Sequence, residues 1–206
     1  MLTKEYEITR IFVEKPWSRF ALNQVKQGSK KKSKGYVYDT LQKYVKEKLL
    51  SEEKAGNVTL YSLNLNSLKA QSCAGFIAEY IGWSKKHLPY EDLQRIALKM
   101  PTDFFILLIT GSYANNSQGK GSDLDLVIIC DDSFEPKKIY AELKHDCELN
   151  IPPIHLYVFK NSEFREMLLS SKPNYGKEIA KNNLLLCGGQ QYFRILSEVM
   201  KNGFNG

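Results

Sequence analysis

The segment that most constrains the fold is LLITGSYANNSQGKGSDLDLVII, residues 107–129. It joins two apolar runs of strand length, Asp103–Thr110 and Asp123–Ile129, through a polar loop. Continuous apolar runs of this kind predict strands that are buried on both faces of a sheet. Within the second run, Asp123 and Asp125 alternate with leucines, so both carboxylates lie on one face, about 7 Å apart along the strand.

Two carboxylates on one face repel each other unless a cation neutralises them. Carboxylate oxygens suit Mg²⁺, and Mg²⁺ in turn binds nucleotide phosphates. Gly111 and Ser112 end the preceding strand and offer backbone N–H groups and a hydroxyl to further phosphate oxygens. Lys120 in the loop could add a phosphate contact, although a solvated loop lysine is the more ordinary interpretation.

Gly-Ser, ten residues and then Asp-x-Asp resembles the signature of the DNA polymerase β-like nucleotidyltransferase superfamily. The spacing is most similar to the minimal nucleotidyltransferases of prokaryotes, including the adenylylating antitoxins that partner HEPN toxins, over about residues 95–190. The resemblance implies that Asp123 and Asp125 are catalytic and bind Mg²⁺ or Mn²⁺, and that Gly111 and Ser112 bind the β- and γ-phosphates. It implies a nucleoside triphosphate, most simply ATP, whose nucleotidyl group is transferred to a protein or nucleic-acid hydroxyl as pyrophosphate leaves.

One part of that pattern is missing. The superfamily carries a third carboxylate on a later strand, and the matching strand here, Ile151–Lys160, contains no Asp or Glu. His155, or failing it Pro153, stands at the expected position. A buried structural histidine is the first interpretation of His155; an imidazole could also act as a base, but it cannot replace an anionic Mg²⁺ ligand without loss. The sequence thus also allows an inactive domain that serves as a nucleotide sensor or dimerisation module.

Charge is distributed unevenly along the chain. The chain has 29 Lys/Arg and 23 Asp/Glu, a net charge of +6. Residues 1–65 hold 13 of the basic and 7 of the acidic residues, so the remaining 16 of each kind cancel. This asymmetry predicts two modules, of which the N-terminal one binds a polyanion.

Three helices are predicted in the N-terminal part: Lys4–Glu14, Ser18–Gln27 and a third that follows an N-cap at Ser33. A Gly56-Asn57 turn and an alternating strand then predict a hairpin. This order, together with the run LQKYVKEKLLSEEKAGNVTLYSLN, resembles prokaryotic winged helix-turn-helix transcription regulators over about residues 3–65.

The winged-helix resemblance implies that the third helix enters the major groove of double-stranded DNA. The side chains that it assigns to DNA contact are Lys30, Lys31, Lys32, Ser33, Lys34, Tyr36, Tyr38, Gln42 and Lys43. For the two tyrosines, packing within the module is an equally good interpretation, and a lysine run can also be plain solvated surface.

The predicted fold is α+β with two domains. A winged helix of three helices and a β-hairpin wing covers residues 1–65, a helical connector 66–100, and a nucleotidyltransferase α/β domain with a small mixed sheet 101–206. The connector is predicted as two helices interrupted at Pro89, the first of which could serve a homodimer interface as easily as the core. No apolar run reaches the roughly 18 residues of a membrane span and the N-terminus is charged, so a cytoplasmic protein without a membrane partner is expected.

Overall fold

The computed structural model describes residues 5–206. Its contacts divide the chain into two compact units, one formed by residues up to Ala78 together with Gly189–Gly206, the other by Glu79–Gly188. This division differs from the predicted boundaries, because helix α4 (Leu68–Trp83) contributes to both units and the C-terminal helix lies in the first. Within residues 5–206, no helix is both long and apolar enough to cross a membrane.

The first unit combines helices with a small antiparallel sheet. Its elements up to residue 63 are α1 (Tyr6–Glu14), β1 (Phe20–Ala21), α2 (Leu22–Gly28), α3 (Lys34–Lys46), β2 (Leu50–Ala55) and β3 (Val58–Leu63). The strands lie in the order β1-β3-β2, and β2 and β3 form the predicted hairpin. Gly56 in its turn has φ +59°, a conformation that glycine adopts without steric cost. Fully buried apolar side chains hold the unit together: Ile8, Phe12, Val25, Val37 and Leu41.

The second predicted helix begins later than expected. Phe20 and Ala21 are extended and pair with Tyr61 and Leu60 of β3, so the helix starts only at Leu22. The Ala21 N–H donates to the side-chain oxygen of Gln24 at 2.8 Å, which supplies the cap of α2. The interpretation of residues 18–21 as helix was therefore wrong, because pairing with a distant strand outweighed local helix preference.

The N-cap of the third helix is confirmed. The Ser33 side chain accepts a hydrogen bond from the Tyr36 N–H at 3.2 Å. A serine in this position satisfies one of the N–H groups that have no partner in the first helical turn.

The C-terminal helix α10 (Gly189–Lys201) packs within the first unit. The Ser197 hydroxyl donates to the Leu65 carbonyl at 2.9 Å. Gly75 and Gly189 lie so close that a Cβ on either would collide with the backbone of the other. Residues 189–206 were predicted to belong to the C-terminal domain, whereas their contacts lie with the first unit and involve two glycines that are distant in sequence.

The second unit is built on a four-stranded mixed sheet. Its elements after α4 are α5 (Tyr90–Ala97), β4 (Phe105–Thr110), α6 (Gly111–Ala114), β5 (Leu124–Cys130), α7 (Pro136–Glu148), β6 (Ile154–Lys160), α8 (Asn161–Leu169), α9 (Tyr175–Lys181) and β7 (Leu184–Cys187). The strand order is β6-β5-β4-β7, with β5 and β6 parallel and the other pairs antiparallel. Helix α7 forms the crossover that two parallel strands require. The mixed sheet and the helix break at Pro89 are as predicted.

The sheet core fixes where polar side chains can emerge. Every residue of β4 is buried, and every residue of β5 except Asp125 is buried. Because β4 and β5 are antiparallel, the end of β4 lies beside the start of β5, and Thr110 pairs with Asp125. The Gly-Ser turn and the aspartate pair are thereby brought to one edge of the sheet.

Candidate active site

Gly111 and Asp125 are in direct contact. Gly111 has φ +69°, and a Cβ built on it would collide with the Asp125 carboxylate. The position therefore requires glycine for two independent reasons, the backbone conformation and the space that the carboxylate occupies. The turn leads directly into the short helix α6, in which Ser112 is partly exposed.

The two aspartates form an anionic site. Asp123 is exposed just before β5 begins, and Asp125 is the first polar residue within the strand, with its side chain 28% exposed. Partial burial raises the pKa of Asp125 above its ordinary value, His155 opposes that shift, and the charge of Asp123 adds to it. A site that resists holding two negative charges favours a cation between them.

The donor set of the site fits a magnesium ion bound together with a nucleotide. Two carboxylates leave most of an octahedral shell to phosphate oxygens and water, which is how Mg²⁺ is commonly held in nucleotide sites. Among residues 5–206, no group of three or more His, Cys, Asp or Glu side chains is arranged to hold a metal ion. A protein-only metal cage is therefore not formed, and the phosphates would have to complete the coordination.

His155 occupies the position that the resemblance assigns to the third carboxylate. It pairs in register with Asp125 across the parallel strands β5 and β6, and its Nδ1 lies 3.7 Å from Asp125 Oδ1. Its side chain is 61% exposed, so the interpretation of a buried structural histidine was wrong. His155 is exposed because it is the register partner of Asp125, so both side chains lie on the same face of the sheet.

Helix α9 supplies residues that the sequence analysis did not assign to the site. A cleft of about 430 Å³ is lined by Thr110, Gly111, Asp125, Tyr175, Glu178, Lys181 and Asn182. Asn182 connects the end of α9 to the turn: its side chain donates to the Gly111 carbonyl at 3.0 Å, and its own carbonyl accepts from the Thr110 hydroxyl at 2.7 Å. The only signal in the sequence was an Asn-Asn pair between a helix and a strand, which does not indicate where the helix packs.

The loop between the turn and the aspartates is ordered by its own hydrogen bonds. The Gly119 N–H donates to the Ser122 hydroxyl at 2.9 Å, and the Tyr113 hydroxyl donates to the Ser122 carbonyl at 3.4 Å. Lys120 is exposed between them. The burial of Tyr113 anchors the loop beside the site.

One protein family matches the part of the chain that forms the four-stranded sheet. Residues 106–187, from β4 to β7, match the family model described as "Nucleotidyltransferase domain". This segment is a nucleotidyltransferase domain. A solved structure titled "Crystal structure of the toxin-antitoxin with AMP-PNP" is similar at 12% identity, over 56% of this chain and 88% of that chain, with a TM-score of 0.39. None of the curated proteins that were compared matches the chain.

In the nucleotidyltransferase domain, the predicted residues Gly111 and Asp125 are in contact and Asp123 is close enough to shift the pKa of Asp125. Asp131 and Asp132 lie beyond the other end of β5, where they accept hydrogen bonds from Ser133 and Ser162. They are thus remote from the site, because the length of β5 separates them from Asp125.

The residues predicted to contact DNA lie just before α3 and within it, on both sides of its buried face. Exposed members of this set are Lys30, Lys32, Ser33, Lys34, Tyr36, Tyr38 and Lys43. The tyrosines are 38% and 48% exposed, so they are surface residues rather than core.

Three members of the set bind within the first unit. Lys31 forms an ion pair with Glu7, and Lys43 with Glu5 at 2.9 Å. The Gln42 amide donates to Glu52 at 3.0 Å and to the Tyr61 hydroxyl at 3.1 Å. These side chains would have to exchange partners to reach DNA.

Proposed function

We propose that the nucleotidyltransferase domain binds a nucleoside triphosphate, most simply ATP, with Mg²⁺ and transfers its nucleotidyl group to a hydroxyl of a protein or nucleic acid. The observation that carries this proposal is the contact between the Gly111 turn and the Asp125 carboxylate, with Asp123 beside it. Hydrogen-bond donors for phosphate groups and ligands for a cation thereby lie together at one edge of the sheet. The match of residues 106–187 to the nucleotidyltransferase family model supports the same reaction class.

Each residue of the site has a defined task in this proposal. The backbone N–H groups at Gly111 and Ser112, with the Ser112 hydroxyl, would hold the β- and γ-phosphates, and Asp123 and Asp125 would hold Mg²⁺. When bound, Mg²⁺ neutralises phosphate charge and stabilises the leaving pyrophosphate. Asn182 holds the turn in place, because its side chain donates to the Gly111 carbonyl and its backbone carbonyl accepts from the Thr110 hydroxyl.

The reaction class can be tested with ATP labelled at different phosphates. The protein is incubated with Mg²⁺ and ATP labelled on the α-phosphate, and in parallel with ATP labelled on the γ-phosphate. Nucleotidyl transfer predicts a product that carries only the α-label, lost in Asp123→Ala and Asp125→Ala. Transfer of the γ-label instead would identify a kinase and contradict the proposal.

A second candidate is a nucleotide sensor without turnover, and the absence of a carboxylate from β6 favours it. His155, at the register position of Asp125, is a weaker partner for a cation than a carboxylate. A sensor would bind the magnesium nucleotide, yield no α-labelled product and change its oligomeric state or DNA affinity on binding. The same labelled-ATP experiment therefore separates the two candidates.

For the first unit we propose a winged helix that binds double-stranded DNA and so places the transferase domain, or regulates transcription. The element order helix, strand, two helices and hairpin supports this, as do the exposed Lys30, Lys32 and Lys34 around the start of α3. Such lysines neutralise phosphates, so binding should weaken steeply with salt. Retention on duplex DNA over a salt series tests the proposal, and salt-independent or absent retention would contradict it.

The acceptor and the assembly are also proposals. A protein acceptor of the toxin–antitoxin type is proposed because the Gly111–Asp125 segment resembles the minimal nucleotidyltransferases that include adenylylating antitoxins. Separately, α4 offers a candidate homodimer surface. Exposed Leu68 and Phe76 on α4 support such a surface.

A further inference from the structure

A tyrosine hydroxyl lies beside the proposed cation site. Tyr157 stands two residues after His155 on β6, and therefore on the same face of the sheet. Its hydroxyl lies 3.3 Å from His155 Nδ1, and the two rings are 4.8 Å apart at their centroids. The same Nδ1 lies 3.7 Å from Asp125 Oδ1. One imidazole nitrogen thus lies next to both the phenol and the carboxylate.

These two distances set a limit on the reach of the phenol. With 3.3 Å on one side of Nδ1 and 3.7 Å on the other, the Tyr157 hydroxyl is at most about 7 Å from Asp125 Oδ1. A cation that binds a carboxylate at about 2 Å, and a nucleophile that must approach phosphorus to about 3–3.5 Å, both fit within that span. The phenol is therefore within reach of a nucleotide bound at Asp125.

The environment of Tyr157 holds it in place and leaves it accessible. Its ring packs against Tyr175 with centroids 4.7 Å apart. Tyr157 is only partly buried, whereas the Tyr175 hydroxyl is fully buried and burial raises the pKa of Tyr175. Tyr175 lines the cleft with Gly111 and Asp125, but its hydroxyl is buried, so of the two phenols only Tyr157 presents an accessible hydroxyl.

We infer that Tyr157 is an acceptor for the domain's own reaction, so that the chain nucleotidylates itself at this residue. This inference rests on the proposed nucleotidyl transfer. The phenolic oxygen forms a bond to the α-phosphorus, and the bond from that phosphorus to the α–β bridging oxygen breaks. Pyrophosphate leaves with the bond electrons, and the phenolic proton passes to solvent. His155 positions the hydroxyl through the contact at Nδ1.

The modification limits itself. A nucleotidyl group on Tyr157 remains covalently attached beside Asp125, where the next triphosphate would bind. Each chain would accordingly accept one group, in a process that is first order in protein because donor site and acceptor lie on the same chain.

Mass spectrometry of the purified full chain tests the inference. After incubation with Mg²⁺ and ATP, the intact mass should increase by one adenylyl group, and peptide mapping should locate it at Tyr157. Tyr157→Phe should lose the added mass yet still bind Mg²⁺-ATP. The matched control is Tyr140→Phe, which changes an exposed tyrosine of α7 and should be modified like the wild type. The fraction modified at a given time should not change when the protein is diluted tenfold.

The outcomes separate the inference from the proposed function. Nucleotide binding or transfer to another acceptor without mass on Tyr157 would overturn the inference and leave the transferase intact. Mass that persists in Tyr157→Phe would also overturn it. A chain that neither binds nor transfers nucleotide would overturn both.

Discussion

Asp125 and His155 are register partners across the parallel strands β5 and β6, with Oδ1 and Nδ1 3.7 Å apart. An imidazole thus stands where the superfamily that this sequence resembles has a third carboxylate. It supplies no negative charge for Mg²⁺, and when protonated it competes with the cation for Asp125. Under the proposed function, this pair would determine how strongly the site holds a metal.

Replacing His155 with aspartate should strengthen metal binding. His155→Asp places a third carboxylate beside Asp125, which should tighten Mg²⁺-dependent nucleotide binding about tenfold, or ~1.4 kcal/mol. If the missing carboxylate limits the chemistry, the rate of α-label transfer should rise by about 10²-fold or more. Titration calorimetry and the labelling assay measure the two effects.

The control for this variant is His145→Asp on the exposed face of α7. It makes the same change of charge away from the site and should leave both quantities unchanged. Equal effects of the two variants would show that net charge, and not the register position, is responsible.

Gly111→Ala should damage both stability and the site. The residue has φ +69° and its Cβ would collide with Asp125, so the free energy of unfolding should fall by about 1–3 kcal/mol. Nucleotide binding should fall at least about tenfold, or ~1.4 kcal/mol, because the turn and the carboxylate can no longer lie together. Gly119→Ala is the control, since a Cβ added there would lie 3.9 Å from its nearest neighbour, the Ser122 hydroxyl. Denaturant unfolding measures the stability of both variants. An equal loss in the two would contradict a specific requirement for glycine at position 111.

Asp125 should cost stability at neutral pH in the absence of metal. Its pKa is raised by burial above the ordinary 3.8, so the folded protein binds more protons than the unfolded chain between 3.8 and the raised value. Stability from this group therefore falls as pH rises through that window and stays lower above it. Asp125→Asn should have a higher melting temperature than wild type at pH 7 in EDTA. The difference should shrink as the pH falls to 3.8, the ordinary pKa of the group. A lower melting temperature at pH 7 would show that the charged form is favoured instead.

Lys32 and Lys34 should contribute to DNA binding through phosphates. Both are exposed at the start of α3, and their replacement by alanine should reduce the salt slope of log K by about 2. The double variant Lys137→Ala and Lys138→Ala, on exposed positions of α7, is the charge-matched control. Fluorescence anisotropy of labelled duplex DNA over a salt series measures the slopes. Identical slopes for both double variants would argue against α3 as the contact surface.

The sheet, with Gly111 and Asp125 in contact at one end of it, was predictable because local signals and tertiary packing agree. Apolar runs of strand length place Thr110 and Asp125 at facing strand ends, and the Gly111 turn leaves little freedom between them. The Ser33 cap was predictable for a similar reason, since a side chain that caps a helix acts within three residues of itself.

The errors concern contacts between residues that are distant in sequence. Residues 20 and 21 were predicted to be helical from the local pattern, but they are extended because they pair with β3. The C-terminal helix joins the first unit through a close approach of Gly75 and Gly189 that no local pattern reports. Likewise, Asn182 enters the site only because α9 lies against the Gly111 turn. The exposure of His155 could be inferred from its alignment with Asp125, but that requires the register of two strands separated by a helix.

The central claim is that Asp123 and Asp125 hold a divalent cation against which a triphosphate docks at the Gly111 turn. Titration calorimetry with a non-hydrolysable ATP analogue measures it directly, with Mg²⁺ and then with EDTA. We predict Mg²⁺-dependent binding that weakens at least about tenfold, or ~1.4 kcal/mol, in Asp123→Asn and in Asp125→Asn. Binding should be unchanged in Asp103→Asn, an exposed aspartate just before β4. Binding that is insensitive to EDTA, or equal in all three variants, would contradict the claim.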